Sequence, residues 1–240
     1  MKLIFQDNHC LYGYRRIGLE LQNRGMKVNS KKIRRLMNKY ELYCLVRKKR
    51  KYSSYQGTIG KVADNLIQRQ FYASKPNQKW FSDVTEFRFG DKKLYLSPIL
   101  DAHGGYVVSY NISQTPNLKQ TQAMFDEAFK IHPNVNGLIF HTDQGWQYQH
   151  YSTQQVLKDH GILQSMSRKG NSLDNGMMES FFGTLKSEMF YNRIKSYRTI
   201  VELEAAIHDY IKYYNSRRIK TKLKGLTPEQ FRYQSLNLKL

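Results

Sequence analysis

The 240-residue chain contains little cysteine, no long hydrophobic segment and few acidic side chains for its number of basic ones. Cys10 and Cys44 form no CxxC pair, so a cysteine-based metal site is not indicated, and we expect two free, at least partly buried thiols rather than a disulfide. No apolar run approaches the roughly 18 residues of a membrane span, and the start, MKLIFQDNHC, does not have the pattern of a signal peptide. Internal repeats and low-complexity tracts are also absent from the sequence. These absences predict a soluble, cytoplasmic protein with no membrane partner.

The excess of positive charge lies at the two ends of the chain. Residues 1–61 hold 16 Lys and Arg against 3 acids, residues 62–189 hold 12 against 12, and residues 190–240 hold 11 against 4. A neutral middle between two basic ends is typical of a protein that binds nucleic acid, because Lys and Arg neutralise phosphates and release their counterions. A basic amphipathic helix with an apolar face, which binding to a membrane surface would require, does not stand out.

The first part of the chain, residues 1–46, predicts two short helices joined by a turn. The first helix lies within residues 12–24 and ends at Gly25, and the second has Ser30 as its N-cap and is strongly basic. This arrangement favours a helix-turn-helix-like DNA-binding segment, although an ordinary helical hairpin with a charged solvent face would give the same pattern. Residues 47–75 are expected to form a basic linker that follows a phosphate backbone. The DNA-contacting residues predicted in these two parts are Lys31, Lys32, Arg34, Arg35, Arg47, Lys48, Lys49 and Arg50.

Residues 76–190 alternate between strand and helix patterns. Aromatic and β-branched residues predict one strand over 79–89 and a hairpin over 92–113 that turns at Gly104-Gly105. Further elements follow in this order: helix 118–130, strand 137–143, helix 152–160, strand 162–166, a polar loop at 166–173 and helix 174–189. This order predicts an α/β fold, a ribonuclease H-like catalytic core with a mixed sheet. Residues 191–240 are expected to form a C-terminal helix, over 198–215, and a basic tail.

Three acidic residues, Asp83, Asp143 and Glu179, each lie at the edge of a predicted element, and 35 residues separate the last two. Mg²⁺ takes its protein ligands from carboxylates, and two such ions about 3.5–4 Å apart can activate an attacking oxygen and stabilise a leaving one. We therefore expect a catalytic, metal-binding site for phosphodiester chemistry, with Asp83 in contact with both ions. Other carboxylates suit this role less: Asp101 as a turn former, Asp174 as the N-cap of the Glu179 helix, and Glu188 on another helix face.

Basic and aromatic side chains near these acids are candidates for contact with DNA. Lys186 lies seven residues after Glu179, so on an α-helix the two share a face, and Lys186 could contact a phosphate or belong to a salt-bridged helix surface. Arg168 and Lys169 lie in the polar loop and suit a loop that clamps DNA. For three further residues, a role at the site and ordinary packing both stay open: His141, Trp146 and Tyr148.

Four blocks of sequence occur in a fixed order: WFSDVTEF, HTDQGWQY, SRKGNSLDNGMMESFFGTLKSE and YIKYYNSRRIK with LKGLTPEQF. Together they resemble the bacterial insertion-sequence transposases of the IS-three family, close to its IS-one-fifty subgroup, from about Tyr12 to Phe231. The resemblance implies a core of the retroviral-integrase type, with a DDE triad at Asp83, Asp143 and Glu179 and two Mg²⁺ or Mn²⁺ ions. It also implies cleavage at the terminal inverted repeats of the element and strand transfer from the freed 3′ hydroxyl through a circular intermediate. A homo-multimeric synaptic complex on DNA, at the bacterial nucleoid, would follow.

In that family the active transposase is typically a frameshifted fusion of an upstream reading frame, which has its own helix-turn-helix and leucine zipper, to a downstream frame. This chain resembles the downstream part and has no heptad zipper, so we expect a second-frame product with the upstream-frame protein as a candidate partner. Two alternatives stay open. One is a nuclease that keeps the fold and stops at hydrolysis, and the other is a DNA-binding regulator that competes with a full-length transposase.

Overall fold

The computed structural model describes residues 1–44, 62–169 and 171–237, so the predicted DNA contacts Arg47, Lys48, Lys49 and Arg50 lie outside the described residues. The α-helices among the described residues are α1 Lys2–Asp7, α2 Tyr14–Asn23, α3 Ser30–Lys39, α4 Leu118–Ile131, α5 Trp146–Gln149, α6 Tyr151–Asp159, α7 Gly176–Leu185, α8 Ile200–Ser216 and α9 Pro228–Asn237. The strands are β1 Lys79–Ser82, β2 Thr85–Phe89, β3 Lys92–Asp101, β4 Tyr106–Ser113, β5 Ile139–Thr142 and β6 Leu163–Met166. None of the described helices is both long and apolar enough to cross a membrane.

The six strands form one mixed sheet in the order β2-β3-β1-β5-β6, with β4 paired to β3. β3 and β4 form the predicted antiparallel hairpin, whose turn contains Gly104 and Gly105 at φ +76° and +66°. These backbone conformations favour glycine because it has no Cβ. β1, β5 and β6 run parallel to one another. The predicted α/β fold with a mixed sheet is therefore confirmed.

The prediction of one continuous strand over 79–89 was wrong at two residues. Asp83 and Val84 separate β1 from β2, although both strands pair with β3 antiparallel in one shared register, so Asp83 lies opposite Pro98. Proline has no N–H to donate to the ladder, and strand pairing commonly stops beside it. The amide of Val84 donates to the Asp83 side chain, N to Oδ1 at 2.7 Å. The interruption thus takes Asp83 out of the regular sheet.

The two faces of the sheet carry separate hydrophobic cores, because alternate strand residues point to opposite sides. One core lies under α7 and α8 and includes Phe81, Phe87, Leu94, Phe181, Leu185, Leu203 and Ile207. The other lies under α4 and α6 and includes Trp80, Ile99, Met124, Phe125, Phe140 and Leu157. The sheet is therefore covered on both sides, and its functional side chains are left at the strand ends.

The N-terminal helices form a third small core with Ile4, Ile17 and Ile33 inside it. The N-cap of α3 is Asn29, whose side chain accepts from the Lys31 amide at 2.8 Å, so the prediction of Ser30 as the cap was wrong by one residue. Cys10 and Cys44 are free and half-buried, as predicted.

This N-terminal unit packs directly on the C-terminal part of the chain. The hydroxyl of Tyr12 accepts from the amide of Ile219 at 2.9 Å and donates to the carbonyl of Arg217 at 3.2 Å. Asn23 donates to the carbonyl of Gly225 at 3.0 Å, and Ile219 itself is buried in the N-terminal core. The helix-turn-helix-like unit is therefore fixed to the rest of the protein by buried contacts.

The predicted basic tail, as far as residue 237, packs against the rest of the protein. After α8, the helix α9 returns to the sheet, where Arg232 forms a buried ion pair with Asp101. Asp101 also accepts from the amides of Asn77 and His103, both at 2.9 Å. Asp101 is thus a turn former, as predicted, and the Arg232 contact anchors the last helix.

Candidate active site

Asp83 and Asp143 lie side by side at one edge of the sheet. β1 and β5 are parallel neighbours, and each acid comes directly after the last residue of its strand. Because parallel strands end at the same edge of a sheet, the two carboxylates converge. Glu179 lies in the first turn of α7, and its charge acts on Asp83. The structure therefore brings the three predicted acids to one place.

Burial and neighbouring charges perturb the pKa values of two of the three carboxylates at this site. The pKa of Asp83 is raised well above its usual range, mainly by burial and then by the charges of Asp143 and Glu179. Burial also raises the pKa of Asp143. Such shifts mark a cluster of like charges that a cation would stabilise.

Asn175 connects the start of α7 to Asp83 and provides a second test of whether the site suits a metal. Its Nδ2 donates to Asp83 Oδ2 at 2.9 Å, while its Oδ1 is buried and has no hydrogen-bond partner among the described residues. An unpartnered buried oxygen is costly unless a ligand or water supplies a donor or a cation. The donor set, three carboxylates and one amide oxygen, consists of the hard oxygens that divalent cations prefer. Among the described residues, however, no three Asp, Glu, His or Cys side chains are placed closely enough to hold a metal ion as they stand.

The loop after β5 is shaped around Asp143. The amide of Gly145 donates to Asp143 Oδ1 at 2.9 Å, and a Cβ at Gly145 would lie 2.9 Å from that oxygen and 2.6 Å from Gln147 Nε2. A side chain at this position would have to displace the Gln147 amide or the Asp143 carboxylate. Tyr148 is fully buried with its hydroxyl 2.9 Å from Ser82 Oγ, so it packs under the site and cannot stack on a base. Trp146, the first residue of α5, is 45% exposed.

Lys186 is the C-cap of α7, at the point where a π-helix begins. The segment Lys186–Phe190 is a π-helix in which the Tyr191 amide bonds the Lys186 carbonyl at 2.8 Å, so the predicted α-helical phase does not continue to its end. The Lys186 ammonium donates to the carbonyl of Glu86 at 2.8 Å and lies over the Phe87 ring. Burial lowers its pKa, while the charges of Glu86 and Asp83 raise it. Lys186 is thus near Asp83, but tied to β2.

The polar loop before α7 is held by a buried acid. Asp174 is fully buried and accepts from Arg168 Nε at 2.8 Å and Nη2 at 2.9 Å, so its prediction as the helix N-cap was wrong. The N-cap position belongs to Asn175, which makes no side-chain capping bond. Lys169 is exposed. His141 is a packed strand histidine that bonds Ser165 at 2.8 Å, and burial lowers its pKa to about 4.

The remaining predicted DNA contacts lie on α3. All four are exposed, whereas Ile33 and Met37 on the opposite face are buried. The exposed set is Lys31, Lys32, Arg34 and Arg35. Glu188 lies outside the site and pairs with Arg218 at 2.6 Å.

Two residues near the acids were missed by the sequence analysis. Asn175 was not singled out, and Arg69, which bonds Asp174 Oδ1 at 3.0 Å, lies in the range expected to be a linker. The asparagine follows Asp174 directly before the predicted helix, which was a usable signal. Arg69 is 105 residues from its partner, and nothing in the sequence reveals that contact.

Comparison with known proteins agrees with this geometry. Residues 73–172 and 179–236 match two models described as an integrase core domain, and residues 1–50 match an HTH-like domain. The integrase catalytic core domain of HTLV-2, in a structure described as a complex with magnesium, has a TM-score of 0.52 at 21% identity and covers 66% of this chain and 98% of its own. A chain of the simian T-cell lymphotropic virus intasome has a TM-score of 0.55 at 17% identity, covering 97% of this chain and 72% of its own. These two likenesses show the ribonuclease H-like fold.

Curated transposases have higher sequence identity to this chain than the two viral structures do. The transposase InsK of insertion sequence IS150 from Escherichia coli K12 is 48% identical over 97% of this chain and 81% of its own length. A transposase-like protein of Haemophilus influenzae is 48% identical over 88% of this chain and 96% of its own, and the transposase of IS904 from Lactococcus lactis is 36% identical over 96% and 91%. An integrase core domain implies polynucleotidyl transferase activity that depends on a divalent metal. The chain therefore belongs to the insertion-sequence transposases with an integrase core domain, in the IS3 family that includes IS150.

Proposed function

We propose that this transposase cuts and joins DNA with a DDE triad formed by Asp83, Asp143 and Glu179. The observation that supports it most directly is the convergence of Asp83 and Asp143 at the ends of two adjacent parallel strands, with Glu179 close enough to raise the pKa of Asp83. The family and the predicted spacing agree with this assignment. In strand transfer, a freed 3′ hydroxyl oxygen bonds to a target phosphorus while the bridging 3′ oxygen leaves and takes up a proton.

The chain's own residues hold and orient the reacting groups. Asp83 and Asp143, at the ends of β1 and β5, and Glu179, in the first turn of α7, would hold the cations. Two bound Mg²⁺ or Mn²⁺ ions would supply positive charge for the attacking and leaving oxygens. Asn175 keeps the Asp83 carboxylate in place through its 2.9 Å hydrogen bond. Gly145 does the same for Asp143.

The DNA would be bound along a path that joins the N-terminal unit to the triad. Lys31, Lys32, Arg34 and Arg35 are proposed to contact the terminal inverted repeat, because α3 is exposed on its basic face. Lys186, Arg168 and Lys169 are proposed to contact DNA near the reacting phosphate. In this proposal residues 1–46 recognise DNA and residues 47–75 form a linker. Residues 76–190 form the catalytic core, and residues 191–240 complete the assembly.

The assembly is proposed to be a homo-multimer that holds two element ends, with the bacterial nucleoid as its location. A second candidate function, a DNA-binding regulator that competes with a longer transposase, is favoured by one observation. The basic face of α3 is exposed and includes no residue of the triad, so DNA binding by this face would not require strand cleavage or joining. The upstream-frame protein is proposed as a partner of the chain in this role.

The test is strand transfer in vitro with pre-cleaved element ends, a plasmid target and either Mg²⁺, Mn²⁺ or EDTA. Asp83→Asn, Asp143→Asn and Glu179→Gln should each abolish joining while DNA binding persists. Glu127→Gln, an exposed carboxylate on α4, is the matched control and should join normally. Joining by all three triad variants would refute the site, and binding by the native chain without joining would favour the regulator.

A further inference from the structure

Asp174 is the centre of a cluster of which the proposed function uses only Arg168. Its carboxylate is fully buried, and both of its oxygens accept hydrogen bonds from side chains. Arg69 Nε donates to Oδ1 at 3.0 Å, and Asn65 Nδ2 donates to Oδ2 at 3.0 Å. Arg168 donates to both oxygens, from Nε at 2.8 Å and from Nη2 at 2.9 Å. One buried acid thus holds two arginines.

The two arginines keep donors available on the protein surface. The side chains of Arg69 and Arg168 are 47% and 60% exposed. A guanidinium has five N–H donors. Among the described residues, Arg168 donates from Nε and Nη2, both to Asp174. Arg69 donates from Nε to Asp174 and from Nη2 to Asn171. Nη1 of each arginine therefore remains for a ligand. Two cations around one carboxylate also leave a net positive charge.

The geometry favours one ligand shared by both arginines. Arg69 Nε and Arg168 Nη2 contact the same oxygen of Asp174, at 3.0 and 2.9 Å, so the two guanidinium groups are close neighbours. Their planar donor sets match the oxygens of a phosphate. A purely structural cluster would need a single arginine to neutralise Asp174, and a second one adds an uncompensated charge at the surface.

The cluster is adjacent to the triad. Asn175, the next residue after Asp174, donates to Asp83 Oδ2 at 2.9 Å. A phosphate bound by the arginines would therefore lie close to the phosphate that reacts. Both arginine side chains are already held by Asp174 in the absence of DNA, which reduces the conformational entropy lost on binding.

We propose that Arg69 and Arg168 together bind a single phosphate of the DNA backbone beside the triad, with Asp174 as the buried residue that positions both guanidinium groups. The proposal deepens the proposed function and rests on it for the identity of the nucleic acid. It assigns a binding role to Arg69, and it makes Arg168 half of a rigid pair instead of part of a flexible loop.

The salt dependence of DNA binding tests this proposal without any chemistry. Binding of the full chain to a duplex that carries the element's terminal repeat is measured in EDTA over a series of salt concentrations. The slope of log affinity against log salt falls by about 0.9 for each B-DNA phosphate contact that is lost. The triple variant Arg69→Gln, Arg168→Gln, Asp174→Asn removes the buried charge together with both cationic partners, so no unpaired charge is left in the core and the chain is expected to fold.

Arg198→Gln is the matched control. Arg198 is exposed before α8, and its replacement lowers the net charge by the same single unit as the triple variant. The triple variant should lower the slope by about 0.9, which is about an 8-fold smaller salt effect for a tenfold rise in salt, and Arg198→Gln should leave the slope unchanged. Thermal unfolding confirms that both variants are folded.

Three results would overturn the shared phosphate site. They are an unchanged slope in the folded triple variant, an equal fall in both variants, and a fall of about 1.8, which would mean two separate phosphates. If the triple variant does not fold, Arg69→Gln alone decides, because Arg168 still neutralises Asp174. It should reduce affinity at low salt more than Arg198→Gln does, and equal effects would refute the site. Because the assay uses no metal, loss of strand transfer cannot produce any of these outcomes.

Discussion

Arg218→Ala should destabilise the whole chain far more than the loss of a surface charge. Arg218 donates to Glu188 at 2.8 and 2.6 Å, and the Tyr210 hydroxyl donates to the same carboxylate at 2.8 Å. The side chains of Arg218 and Glu188 are only 6% and 12% exposed. Burial would raise the pKa of Glu188, but the hydrogen bonds and charge of Arg218 outweigh it and hold that pKa below its usual value. The variant therefore leaves a charged carboxylate buried without its main partner.

Removing one partner of a buried pair costs roughly 3–5 kcal/mol, out of the about 5–15 kcal/mol that folded proteins usually have. Chemical denaturation of the full chain measures this as a lower free energy of unfolding. The control is Arg24→Ala, which breaks the exposed helical pair with Glu20 and should cost about 0.3–0.5 kcal/mol. Adding Glu188→Gln to Arg218→Ala should recover a large part of the loss, because the uncompensated charge disappears. Equal costs for the two arginines, or no recovery, would refute the reasoning.

Other variants test the site and the turn of the hairpin. Asp83→Asn should raise the melting temperature of the metal-free chain, because it removes a buried charge that faces two like charges, and should abolish the rise that Mg²⁺ gives the native chain. Asp174→Asn should lower the denaturation midpoint at pH 7. The hydrogen bonds of Arg168 depress the pKa of Asp174 in the folded chain. The contribution of this carboxylate to stability is therefore complete above the ordinary pKa of 3.8 and is lost as the pH falls through the lower folded value. The difference in midpoint between the variant and the native chain should close on acidification. Gly104→Ala should cost about 1–3 kcal/mol more than Gly25→Ala, because both have positive φ but only the first places a Cβ 2.8 Å from Phe231; equal losses would contradict this.

The order of strands and helices in the core could be predicted because each element carries its own periodic pattern. The hairpin over 92–113 is an example, since its glycines mark the turn and apolar residues alternate on both sides. The break at Asp83 could not be predicted, because it depends on Pro98 in another strand. The π-helix at Lys186 is likewise invisible to a pattern that assumes 3.6 residues per turn.

For the candidate site, spacing and family resemblance predicted the three acids but not the residues that orient them. Arg69 meets Asp174 across 105 residues of sequence, and Arg232 meets Asp101 across 131. Such contacts arise only when distant elements pack, and a local pattern contains no information about the partner. The same limitation applies to Tyr148, which was left open between stacking on a base and packing under the sheet.

The contacts of Tyr12 with Arg217 and Ile219 have a consequence for where the DNA would be cut. If the N-terminal helices recognise the repeat, the packed interface between these helices and the C-terminal part of the chain sets the distance, in base pairs, from the recognised sequence to the cleaved bond. The number of residues between the two units would then have no influence on that distance. Separating Tyr12 from Ile219 should instead scatter the cut positions while each unit still performs its own task.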